Sequence, residues 1–272
     1  MNTLVVGDIA GEYATLIKLI KKSPRADMIV SLGDAIDKGP NSKAVLDFLM
    51  SLPYPSLVLG NHEYMLVRSM QELKEIDELY QMKWTMLWLS SGGIDTITSF
   101  GIEIPANPKL LLKKLNSFAK ILDENGYLEY LTNCPFVIAC GDVIINHSPA
   151  NTKAFEQIHL KTNDKPSKHP TYFGFDFDLN RWWKQVGTQA RSLCDPPLSV
   201  SPYQFVSNRS KPETLDKSLQ VFGHMSRWGL KSFEENNSIF AYCIDTSRDR
   251  KLTALLLPEK KMISVSRKKV PA

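Results

Sequence analysis

Residues 3–22 read TLVVGDIAGEYATLIKLIKK. A short apolar run ends in Gly7-Asp8, a turn of small residues follows, and Leu16, Ile17, Leu19 and Ile20 then recur on one helical face. A buried strand that ends in a carboxylate and leads into an amphipathic helix is the repeating unit of an α/β sheet. The same unit comes again: MIVSLG (28–33) reads as a second strand, NSKAVLDFLMSL (41–52) as a second helix, and SLVLG (56–60) as a third strand. The first third of the chain therefore predicts an α/β fold with strands buried on both faces.

Beyond it the pattern changes. Residues 64–125 read as mostly helical, broken at SSGG (90–93) and at Pro105 and Pro108. PFVIACGDVIINH (135–147) reads as a hairpin turning at Gly141-Asp142. A loop-rich region follows, with KPSKHP, CDPPLSVSP and RSKP around one helix-like stretch, FDLNRWWKQVGTQARSL (177–193). Strands return in LQVFGH, SIFAYCID, KLTALLLP and KMISVSR. With no repeat, low-complexity tract or long linker, the expectation is one domain over 1–272, carrying a helical insertion near 64–130 and a loop-rich insertion near 151–217.

At 272 residues, 43% hydrophobic and 23% charged, the composition is that of an ordinary soluble protein. A net charge of +4 does not argue for nucleic acid, and the basic end SRKKVPA reads as a solvated tail. No apolar run approaches the ~18 residues of a membrane span. The apolar start runs straight into Gly7-Asp8, which suits a strand and not a signal peptide. Cys134, Cys140, Cys194 and Cys243 form no CxxC pair, so the expected setting is reduced and cytoplasmic, without thiolate-bound zinc.

Chemistry gathers at strand ends. VVGD places Asp8, SLGD places Asp34, VLGNHE places Asn61, His62 and Glu63, IINH places His147, and VFGH places His224. Ligands of α/β sheets bind beyond the carboxyl ends of strands, and Gly before the polar residue lets backbone pass close to an ion. Each signature alone is weak, since a lone Gly-Asp is usually a turn. Yet three of the five histidines fall in this set. Mixed carboxylate, amide and imidazole donors suit manganese, iron or zinc.

In order, GDIAGEY, GDAIDKGPNS, GNHE, NHSP and FGHM resemble the successive motifs of the calcineurin-like metallophosphoesterases, and most closely the phosphoprotein phosphatase branch with its diadenosine tetraphosphatase relatives. SSGGIDTITSFG and CIDTS…KLTALLLP are similar to further segments of that branch, so the resemblance runs from about Thr3 to Pro258. It implies a central β-sandwich flanked by helices and a site for two divalent ions, manganese first, with iron or zinc as alternatives. Asp34 would bridge the ions, Asp8 would ligate the first, and Asn61, His147 and His224 would complete the second, Asn61 also facing substrate. A bridging carboxylate holds such ions about 3.5–4 Å apart, where a bridging hydroxide attacks phosphorus in line. His62 would protonate the leaving oxygen, kept cationic by Asp37.

Two departures stand out. Where the branch has an arginine after GDxxD this chain has Lys38, a point charge without a planar fork, and Arg209 in VSNRS is the candidate second phosphate cation. Arg181, beside Trp182 and Trp183, reads as a packing or surface residue, and the aromatic stretch HPTYFGFDFDLNRWW (169–183) as core and loop packing. Where the branch has GDxHG, this chain has GDIAG, so Ala10 leaves the first ion without one protein ligand. Water, Glu12 or a weakened site would each account for the gap. NHSP likewise departs from the usual HAG or HGG and would reshape the nearby pocket wall. The expected activity is metal-dependent hydrolysis of phosphoserine and phosphothreonine proteins, with phosphotyrosine as a further substrate. The alternatives are a dinucleoside polyphosphate or small-nucleotide hydrolase, and a phosphate- or partner-binding protein with catalysis impaired at Ala10.

Overall fold

Strand β1 (Thr3–Val6) is buried along its whole length. It runs parallel to β2 (Met28–Ser31) on one side and antiparallel to β9 (Lys251–Leu257) on the other. With β10 (Lys261–Ser266) these make a four-stranded sheet ordered β10-β9-β1-β2. A second, six-stranded sheet is ordered β5-β3-β4-β6-β8-β7. Its members are β3 (Val137–Cys140), β4 (Val143–Asn146), β5 (Thr171–Phe173), β6 (Leu219–Phe222), β7 (Lys231–Glu235) and β8 (Ser238–Cys243). This computed structural model describes residues 2–140, 142–149, 171–173, 206–215 and 218–267.

Alternation along the strands assigns their faces. Val5, Val30 and Leu255 of the first sheet meet Ile138, Ile145 and Val221 of the second in one apolar layer. Leu4, Val6, Ala254 and Leu256 point the other way, into a larger cluster with Leu16 and Leu19 of α1 (Tyr13–Lys22) and Val45, Leu46 and Leu49 of α2 (Ser42–Met50). The same cluster takes in Tyr64 and Leu66 of α3 (Asn61–Glu75), Leu115 and Phe118 of α6 (Pro108–Glu124), and Leu131 of α7 (Tyr127–Asn133). Two stacked sheets flanked by helices are thus the observed α/β architecture, as the resemblance implied.

The helical stretch is held by local signals. Asn107 caps α6, its Oδ1 accepting from the Lys109 and Leu110 amides at 2.9 and 3.2 Å, with Pro108 in the first turn. Asn107→Ala should cost about 1 kcal/mol, read as a lower midpoint in urea with an unchanged slope.

Several elements differ from their sequence reading. SLVLG is not a full strand: it makes one parallel bridge, Ser31 with Leu57. The Val58 amide bonds the Ser31 carbonyl, but the Leu59 amide turns to Pro135. With Leu59 turned to Pro135 and α3 starting at Asn61, the pairing with β2 ends at that single bridge. SSGG, by contrast, breaks the helix as expected: Gly92, at φ 114°, is non-helical and kinks the chain within Leu89–Gly93, between α4 (Lys83–Trp88) and α5 (Ile94–Ser99). β7 was not legible because KSFEE is polar and only half-buries Phe233, as an edge strand can. The solvated tail fails at Arg267, which is partly buried and bonded to the Lys251, Ile9 and Asp8 carbonyls. Gly141, the 177–193 stretch and most of the 151–217 region lie outside the described residues, as do residues 268–272.

Candidate active site

The parallel strands all end on one edge. β1 delivers Asp8, β2 Asp34, β4 His147 and β6 His224. The loops after β1 and β2 are stitched together: the Ala10 amide donates to the Asp34 carbonyl at 2.7 Å and Gly11 to Ala35 at 2.8 Å. Gly33, at φ 93°, allows a close approach, since a Cβ there would sit 2.6 Å from Gly60 backbone and 2.8 Å from His147 Nδ1. Ala10, Asp34, Asp37, Lys38 and His224 also hold positive φ, between 48° and 69°. Such conformations cost of order 1–3 kcal/mol each and persist where surrounding structure dictates them.

Glu63 supplies much of that constraint. It is fully buried in the first turn of α3. One carboxylate oxygen accepts from the Asp34 and Gly60 amides at 2.9 and 3.0 Å, the other from Ala35 and Ile36 at 2.7 and 3.2 Å. Burial, with the Asp34 charge added, pushes this carboxyl up to about 7. The sequence reading named Glu63 only as part of GNHE, and four backbone donors converging on one side chain were not foreseeable from it.

Asp34, His147 and His224 each offer a donor atom, and these atoms lie within 4.8 Å of one another. His147 Nδ1 donates to the Leu32 carbonyl at 2.7 Å. That bond fixes the tautomer and leaves Nε2 free as a lone pair, 3.1 Å from Asn61 Oδ1 and 3.3 Å from Asp34 Oδ1. His224 Nε2 is buried with no hydrogen-bond partner among the described residues. Burial, then His147, lowers the His224 pKa to about 3, so the ring is neutral and its nitrogen available. Burial would raise the Asp34 pKa, but the neighbouring basic groups, His147 first and then His62 and Lys38, outweigh it and lower the pKa below the usual carboxylate range. A carboxylate, two imidazole nitrogens and an amide oxygen, the His224 nitrogen without a partner among the described residues, fit a divalent cation of the borderline class.

Asp8 stands at the margin of this cluster. Its two oxygens accept the His224 amide at 3.3 Å each. Burial, Asp245 and Asp34 together raise its pKa well above the carboxylate range. Asp245, buried at the end of β8, is a residue the sequence reading missed; it follows a strand without a preceding glycine. Ala10 contributes no side-chain donor, and the Glu12 carboxylate accepts from Thr15 Oγ1 at 2.8 Å.

His62 is almost fully buried, and its Nδ1 lies 2.6 Å from Asp37 Oδ2. Its Nε2 faces the other way, 3.7 Å from Asp34 Oδ2. Burial alone would lower the His62 pKa, but Asp34 and the hydrogen bond to Asp37 raise it above its ordinary value. Asp37 is held by two donors not read from the sequence: Trp88 Nε1 at 3.0 Å and Thr96 Oγ1 at 2.5 Å. Both come from the SSGG region. A Cβ on Gly93 would lie 2.5 Å from the Trp88 ring, and one on Gly92 3.0 Å from Lys38. The glycines thus let that indole and the Asp37 loop close together.

Lys38 is exposed beside the cluster and helps to hold Asp34 ionised. Arg209 is exposed too, and its charge helps to lower the His224 pKa. Its carbonyl accepts from Arg227 Nη2 at 2.9 Å. Arg181, Trp182 and Trp183 lie outside the described residues.

The family model of the calcineurin-like phosphoesterases matches residues 1–225. The chain belongs to that family. Calcineurin-like phosphoesterases use divalent metal ions, in keeping with the cluster at Asp34, His147 and His224. Among curated relatives, a symmetrical bis(5'-nucleosyl)-tetraphosphatase of Coxiella burnetii is 43% identical over 70 residues, 24% of each chain. Serine/threonine-protein phosphatase 2 of Escherichia coli is 38% identical over 92 residues, 33% of this chain and 37% of its own. The matched stretches therefore span between about a quarter and two fifths of these phosphoesterases. A crystal structure bearing the provisional designation of diadenosine tetraphosphatase aligns over 99% of this chain and 95% of its own, with TM-score 0.52 and 21% identity, a likeness of fold. Among the described residues no helix is long and apolar enough to cross a membrane.

Proposed function

We propose that this calcineurin-like phosphoesterase hydrolyses phosphomonoesters, with phosphoserine and phosphothreonine proteins as substrates and phosphotyrosine as a further one. One juxtaposition carries the reading: the Asp34–His147–His224 donor cluster stands beside the His62–Asp37 pair. Two divalent ions, manganese ahead of iron or zinc, are the proposed cofactors. Asp34, Asn61, His147 and His224 would hold one, and Asp8 with Asp34 the other. When bound, such ions polarise phosphoryl oxygens and lower the pKa of water.

The chain's own residues supply the rest. Asp37 orients His62 through Nδ1, so the proton on Nε2 is presented to the site and passes to the departing alkoxide. Lys38 and Arg209 offset phosphate charge from the exposed rim. A reduced, cytoplasmic setting fits the free, buried thiols of Cys134 and Cys243.

The second reading, hydrolysis of dinucleoside polyphosphates, is favoured by the 43% match to the Coxiella tetraphosphatase. Parallel kcat/KM measurements on a phosphopeptide panel and on diadenosine tetraphosphate decide between them. Faster turnover of the dinucleotide than of every peptide replaces the first reading with the second. Phosphate binding with no turnover of either establishes the binding-protein alternative.

Ala10→His restores an imidazole to the first position and should tighten manganese uptake there at least about tenfold, with the other ion unaffected. Calorimetric titration checks this. Identical isotherms would mean that another group already fills the position.

A further inference from the structure

We propose that Arg267 is the positioning residue of the first metal loop, its guanidinium holding Asp8–Gly11 in register with the Asp34 loop; the consequence for metal rests on the two-ion reading above. The side chain comes from the far end of the chain, just past β10, and is partly buried. Its Nη1 donates to the Ile9 carbonyl at 3.1 Å, its Nη2 to the Asp8 carbonyl, and its Nε to Lys251 at 3.0 Å. Its own amide bonds the Arg250 carbonyl at 2.8 Å, so the backbone is fixed as well.

Three carbonyls from two separated segments are thus gathered by one rigid, planar donor. A lysine, with a single flexible ammonium, does not reproduce that fork. The loop needs such an anchor for two reasons. Ala10 sits at φ 52°, where a non-glycine residue is strained. It also has no side chain with which to fasten itself to a cation. Glu12, Asp8 and Asp245 face the guanidinium electrostatically, so the same group offsets negative charge behind the Asp8 carboxylate.

Arg267→Ala and Arg267→Lys are compared with the wild-type full chain in two measurements. In metal-free protein, hydrogen exchange at the Ala10 and Gly11 amides, which bond the Asp34 and Ala35 carbonyls, should speed at least about tenfold in the alanine variant, while β1 and β9 keep their protection. Uniform acceleration across the protein, or none, overturns the anchor. In equilibrium dialysis against manganese, wild type should show two classes of site. The alanine variant should lose at least tenfold in the weaker class alone, with lysine intermediate. An unchanged weaker class overturns the link to metal. A wild type that binds no manganese removes the two-ion reading and with it that link, and the exchange result still decides the anchor.

Discussion

Replacing His62 by Asn lowers turnover by about 10²–10⁴-fold, the usual weight of a general acid, and leaves manganese uptake intact. The expectation follows from where the two ring nitrogens point. Nδ1 is engaged by Asp37 at 2.6 Å, so Nε2 is the atom that faces the cluster. Asn keeps a polar group of similar reach and removes the dissociable proton. The loss should therefore depend on the leaving group. Alkyl phosphates, whose alkoxides need protonation, should suffer most, and p-nitrophenyl phosphate should suffer least. Equal losses on both, or full activity on the alkyl ester, would take His62 out of the proton-transfer step.

Trp88→Ala should destabilise the protein by about 3–5 kcal/mol, a large part of the roughly 5–15 kcal/mol that holds a typical domain. The indole is fully buried and stacks on Phe118 with centroids 5.9 Å apart and planes 14° from parallel. Removing it opens a cavity between Phe118 and Gly93, and Gly93 has no side chain to fill it. Trp88→Phe separates packing from hydrogen bonding. It keeps most of the ring but leaves Asp37 without the Nε1 donor, at a cost of about 1.5–3 kcal/mol for a bond to a charged group. Urea denaturation reads both variants. A loss below about 1 kcal/mol in the alanine variant would mean the indole packs no better than a surface ring.

These two residues show how unevenly the site could be read. His62 was visible because it lies at the end of an apolar run, two residues after Gly60; Asp8, Asp34 and His224 directly follow a glycine at such an end, and His147 follows Asn146. Asp37 was assigned its role through resemblance. The donors that hold Asp37 were not found: Trp88 and Thr96 lie 51 and 59 residues away, on a segment read as a helix break. Nothing in SSGG says which indole will fold over it. SLVLG was over-read for the converse reason, since four strand-forming residues look alike whether or not a neighbour completes their ladder.

What the sequence determined alone is the order of β1, α1, β2 and α2 and the polar residues at Asp8, Asp34, His147 and His224 that follow strands. Period-two burial, helical faces and Gly-Asp turns are short-range effects, decided within a few residues. Tertiary structure alone decided that His224 Nε2 has no partner among the described residues, that Glu63 collects four amides, and that Arg267 reaches back 258 residues to Ile9. Those facts depend on which buried polar groups meet once the two sheets stack, and a hydrogen bond closed across such a distance leaves no periodicity in the chain to betray it.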